Sequence, residues 1–102
     1  MEYKTDIQHP PTESDRHRIL ANERRRVLID VLVDCDPPVR LGELAADVRK
    51  IENRREATTT LETLQVVLHH QHLPMLSKYG LIRYDAREML VTETDAELQT
   101  LV

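Results

Sequence analysis

The chain has 102 residues, a formal net charge of −4 and 40% hydrophobic residues. That is room for one domain, whose core must be aliphatic because Trp and Phe are absent and only three Tyr are present. Net acidity excludes broad charge-driven coating of nucleic acid, and no apolar run reaches the ~18 residues that span a bilayer. Among the cations, eleven are Arg and three Lys, an acidic and lysine-poor balance compatible with a salt-rich cytoplasm. Cys35 is the single cysteine, so neither an intrachain disulfide nor a Cys-based zinc spacing exists. The polar N-terminus is unlike a signal peptide. These features together give the expectation of a soluble cytoplasmic protein with no membrane partner.

Residues 1–18 hold Pro10-Pro11 and mixed charges without a sustained period, and are expected to form a flexible arm. A first core helix is predicted from the cap Asn22 to about Asp34, with Val27, Leu28, Val31 and Leu32 as its apolar stripe. Arg24, Arg25 and Arg26 stand in its first turn, where the helix dipole disfavours positive charge. They point either to a phosphate or acidic partner or to a solvated face paired with Glu23 and Asp30.

Asp36-Pro37-Pro38 breaks the chain, and Val39-Arg40-Leu41 is suited to a short strand. Glu43 to about Asn53 is predicted helical, with Leu44, Ala45, Val48 and Ile51 inward.

The stretch from Ala57 to Gly80 is long enough for about six helical turns. Leu61, Leu64, Leu68, His72, Met75 and Tyr79 share one face at steps of three and four, widened by Leu73 and Leu76. Pro74 lies inside that period and removes a donor, so a kink or a break of at most two residues is expected near it. Gly80 suits the left-handed position after a helix end. Two short strands follow, Leu81 to Tyr84 and Met89 to Thr92, around the turn Asp85-Ala86-Arg87-Glu88. Residues 93–102 have Leu98, Leu101 and Val102 at helical spacing, as a tail or short helix.

The fold class expected is mainly α with a small β-hairpin, a winged helix-turn-helix with a three-helix core and a short wing over 19–92. The segments ILANERRRVLIDVL and LGELAADV resemble the first two helices of arsenical-resistance-repressor-type (ArsR-like) winged helices. HLPMLSKYGLIRYD resembles the end of that family's recognition helix and its first wing strand. The His-Leu-Pro form and Glu-Asn-Arg-Arg look closer to haloarchaeal winged-helix domains of unassigned function. The resemblance implies a cytoplasmic protein related to transcription regulators. The front of the long helix departs from DNA-binding relatives: no Lys or Arg stands between Glu56 and Lys78.

Two functions follow. In the first, the chain is a DNA-binding regulator whose partner is double-stranded DNA. Arg54, Arg55, Thr58, Thr59, Thr60, Thr63, Gln65 and Arg87 are its candidate contacts, cations for phosphates and Thr63 and Gln65 for base edges. In the second, it is a protein-interaction module that dimerises or docks. A homodimer is expected in either case, through Leu61 and Leu64 with Leu98 and Leu101. His69, His70 and His72 lack carboxylate or cysteine partners at ligand spacing, so no metal is expected, nor any cofactor. With no nucleophile constellation and only Gly42 and Gly80 for a phosphate loop, neither an enzyme nor a small-molecule substrate is expected.

Overall fold

A computed structural model describes residues 11–54 and 59–102. Its elements are α1 (Glu13–Leu20), α2 (Glu23–Asp34), β1 (Val39–Arg40), α3 (Leu41–Arg54) and α4 (Leu61–Val67). A π-helical turn (Leu68–His72), α5 (Leu73–Lys78), β2 (Ile82–Asp85), β3 (Leu90–Thr94) and a 3-10 helix (Ala96–Leu101) complete them. The protein is mainly helical with one small three-stranded antiparallel sheet, an arrangement compatible with a winged helix.

The expected flexible arm needs correcting over its second part. Residues 1–10 lie outside the described residues, but from Glu13 onward the chain is helical. Its start is a capping box: Thr12 Oγ1 accepts from Asp15 N at 3.1 Å, and Asp15 Oδ2 accepts from Thr12 N at 3.0 Å. Ile19 is its one buried residue, so α1 has almost no apolar period to betray it. Arg16 adds a long-range tie, donating to Thr100 Oγ1 and to the Thr100 carbonyl.

Helix α2 begins where the sequence places it, with the Asn22 side chain accepting from Arg25 N. Val27, Leu28, Val31 and Leu32 are buried as expected, and so is Ile29. Leu44, Ala45 and Val48 of α3 meet them, and Leu64, Leu68, Leu73 and Leu76 close the core from the far side. The third helical segment does not break at Pro74. It widens into the π turn instead, where the Leu73 N–H reaches back five residues to the Leu68 carbonyl. Proline offers no N–H to the His70 carbonyl and crowds it, and one wider turn relieves both faults.

Gly80 (φ +76°) ends α5. The Leu81 N–H donates to Leu76 O and the Gly80 N–H to Ser77 O, the paired bonds of a Schellman cap. Strand β3 is central, pairing Val39 with Val91 on one side and Ile82 with Thr94 on the other. A bulge at Arg83/Tyr84 bends the hairpin. At its turn Asp85 Oδ1 accepts from Glu88 N, and Met89 takes a positive φ of 53°.

Leu64, Leu98 and Leu101 were expected at a dimer interface, yet all three are buried inside the chain's own core. Leu61 is half-buried against the same cluster. The 3-10 helix, capped by Asp95, packs Leu98 and Leu101 into that cluster and lies against α2. Leu64 is covered by the packing of α4 on α3, and Leu98 and Leu101 by α2 and the shared core.

Leu73, fully buried beside the π turn, is expected to cost ~2–5 kcal/mol on truncation to Ala, read from denaturant unfolding. A loss below about half a kcal/mol would remove it from the core.

Candidate nucleic-acid interface

The arginine run at the start of α2 decides where the candidate residues can point. Arg24 Nε donates to Glu52 Oε2 at 2.7 Å and its Nη2 to Glu52 Oε1 at 3.1 Å. The same Nη2 donates to Thr59 Oγ1 at 2.8 Å. One guanidinium thus joins α2, α3 and the approach to α4 in a forked geometry that lysine lacks. Arg25 is buried and donates to the Ile19 carbonyl at 2.8 Å and the Arg18 carbonyl at 2.9 Å. Arg26 donates to the Leu20 carbonyl. Together Arg25 and Arg26 satisfy carbonyls that the end of α1 leaves without helical donors. The phosphate-seeking reading of this run fails, because these guanidinium groups already have partners inside the protein.

His72 lies within 3.4 Å of Arg25, its Nδ1 facing Nη1. A guanidinium only donates, so Nδ1 is the acceptor and the ring proton sits on Nε2. Burial first, and then the charges of Arg25 and Arg24, pull its pKa down to about 4. The imidazole is neutral and engaged. It is the packed histidine of an apolar face, and among the described residues no three His, Cys, Asp or Glu side chains gather for a metal.

Around this frame the expected contacts separate. Thr60 caps α4, accepting from Thr63 N at 3.1 Å, and its hydroxyl donates to Thr63 Oγ1 at 2.9 Å. Thr63 is exposed and keeps its own hydroxyl proton to give. Thr59 is half-buried and held by Arg24. Arg54, in the last turn of α3, and Arg87, in the hairpin turn, are exposed. Arg55 and Thr58 lie outside the described residues. Gln65 departs from expectation. It is half-buried, with its Nε2 at 3.8 Å from where a Cβ on Gly42 would stand, so it lies over the start of α3.

For several residues the sequence reading gave no place on this surface. Val66, His70 and Gln71 are exposed along the outer side of α4 and the π turn. Exposed cations also include Arg40, Arg49, Lys50, Lys78 and Arg83. His69 Nδ1 and Tyr84 Oη are 2.7 Å apart, tying the π turn to β2. Burial, and then Asp85, pushes the Tyr84 phenol up, so it stays protonated. Cys35 is half-buried beside the core, and burial raises its thiol pKa, as befits a packing residue.

Fold and surface thus define a small helical domain with a three-stranded sheet and a threonine-capped outer helix whose cations stand on neighbouring elements. The chain belongs to the family described as a domain of unknown function, DUF7344, which it matches over residues 17–92. No curated protein and no solved structure matches it. No helix among the described residues is long and apolar enough to cross a membrane.

Two outcomes follow from the buried groups. Glu52→Gln leaves Arg24 without its carboxylate and should cost about 2–3 kcal/mol in unfolding, with Arg24→Lys only partly tolerated. For His72, the native pKa lies below the unfolded 6.5, so the unfolded chain binds the proton first. Stability attributable to His72 is complete above pH 6.5, is lost as pH falls towards about 4, and is constant below. The full loss is about 3 kcal/mol, and unfolding of His72→Gln should lack this slope between pH 6.5 and 5.

Proposed function

We propose that the protein is a cytoplasmic DNA-binding transcriptional regulator of winged-helix type, whose partner is double-stranded DNA. In this reading α2, α3 and the α4–α5 segment are the three-helix core, α4 is the front of the recognition helix, and the β2–β3 hairpin is the wing. The observation that carries it is the outer side of α4. There, Thr60 and Thr63 are exposed, while Arg54 is exposed on the preceding helix and Arg87 on the hairpin turn. Hydroxyls suit base edges and guanidinium groups suit phosphates, so the residue types match the division of labour in such docking. The resemblance of the helical segments to ArsR-like and haloarchaeal winged helices points the same way.

Net acidity does not oppose this reading, since binding depends on local cations that release counterions from phosphates. It does imply modest affinity, with a salt dependence set by the few cations that meet phosphates. A second reading, a protein-interaction module, draws on one observation: Glu62 and the apolar Val66 stand exposed on the same helix. The homodimer is a separate proposal, because three of the four leucines assigned to it are occupied within the chain. A mass that doubles with concentration at high salt would support it.

Retention of duplex DNA across a salt series tests the main reading. Binding is expected at low salt, with a linear fall in log affinity against log salt. Arg54→Ala or Arg87→Ala should each weaken binding about equally for all sequences and reduce that slope by roughly one. Absence of retention at low salt would favour the interaction module. Retention that survives the double variant unchanged would refute the docking geometry.

A further inference from the structure

Three large apolar side chains are exposed among the described residues: Val66 at 56%, Met89 at 50% and Val102 at 66%. Met89 sits at a turn and Val102 at the chain end, where exposure is unremarkable. Val66 is inside a helix, two residues before the π turn. A valine exposed to this degree contributes little burial, and its β-branch makes it a poorer helix former than Gln, Glu or Lys. The fold gains little from this side chain.

Its neighbours on the same side are Thr63, three residues before it, and His70, four residues after it, both exposed. Each is held from behind. The Thr60 hydroxyl donates to Thr63 Oγ1, which leaves Thr63 as a donor to whatever lies outside. The His70 ring meets His69 edge-on at 4.7 Å between centroids, and His69 is anchored to Tyr84. Gln65 lies over Gly42 and does not share this stripe. The outward side therefore presents a donor, a branched aliphatic group and an imidazole, in that order.

We infer that Val66 is a specificity-determining residue that packs against the C5-methyl group of a thymine in the major groove. This assignment rests on the DNA-binding reading above. Thymine is the one standard base that shows an apolar group in that groove, and a side chain without polar atoms has nothing else there to read. Thr63 supplies the adjoining hydrogen bond to a purine N7, guanine O6 or thymine O4. Gln65, which residue type alone would favour as the base reader, is replaced in that role by Val66.

The test uses the full chain and a duplex chosen by selection from a random library. Each thymine of the selected site is replaced in turn by deoxyuridine, which removes the methyl group alone. One thymine, or one per half-site, is expected at which the wild-type chain loses about fourfold in affinity, the size of one buried methyl group. Val66→Ala should lose that sensitivity while binding the deoxyuridine duplex about as well as the wild type does. Because Val66 is exposed, the variant should keep its unfolding midpoint. Val66→Thr, close to isosteric and retaining one methyl group, should keep part of the sensitivity. The inference is overturned if every thymine tolerates replacement, or if Val66→Ala keeps the full methyl dependence. Absence of any duplex binding at low salt would instead remove the DNA reading on which it rests.

Discussion

Three consecutive guanidinium groups at the start of α2 hold together parts of the chain that hydrophobic packing alone would leave free to slide. Arg24 forks onto Glu52 and reaches Thr59, so the entry to α4 is positioned relative to both preceding helices. Arg25 and Arg26 close the end of α1, and Arg25 also meets His72 in the helical segment opposite. Aliphatic side chains give cohesion with little direction, since burial is roughly proportional to area. Directional, charge-assisted bonds supply the register in a core built almost wholly from Leu, Val and Ile. The cost is that positive charge occupies the wrong end of a helix dipole, a loss that the bonds made by the arginines offset.

The π turn is the second organising feature, and it links packing to the outer surface. Pro74 cannot donate to the His70 carbonyl, so the helix widens over Leu68–His72 before resuming as α5. Widening changes which side chains face inward. Leu68, His72 and Leu73 remain buried, His70 and Gln71 turn to solvent, and His69 takes a middle position against Tyr84. That side-chain bond joins the π turn to the hairpin, beside the packing of α5 on β2.

Charge is distributed in a way that composition hides. The net value is acidic, yet exposed cations occur on β1, α3, α5 and the hairpin, while α4 itself contributes Glu62 and no Lys or Arg. A helix without cations that carries hydroxyl and apolar groups outward is suited to reading chemical detail. The neighbouring elements are suited to general attraction. In the DNA-binding reading proposed above, separating the two roles would make sequence preference less dependent on salt than affinity is, since salt acts mainly on the phosphate contacts.

Much of the fold was legible in local chemistry. Asn22 and Gly80 marked helix ends, because each satisfies backbone groups that a helix leaves open. The spacing of Leu44, Val48, Leu68, Leu73 and Leu76 marked core faces, because period 3.6 puts such residues on one side. Pro74 marked a disturbance, although not its kind. Helix α1 was missed for want of an apolar period, while Thr12 and Asp15 did carry a capping signal at the right spacing. What periodicity could not settle was which apolar residues face a partner. Leu64, Leu98 and Leu101 are apolar at helical spacing in either case, and only the packing of α4 on α3 and the return of the C-terminus onto α2 bury them. The roles of Arg24, Gln65 and Val66 were equally out of reach. A side chain's direction depends on partners 23 to 35 residues away, as between Gln65 and Gly42 or Arg24 and Thr59. Local sequence therefore determined the helices, their ends and the apolar faces, since those depend on neighbours along the chain. The tertiary structure alone decided which charges are consumed inside and which side chains remain to meet a partner, since that depends on neighbours in space.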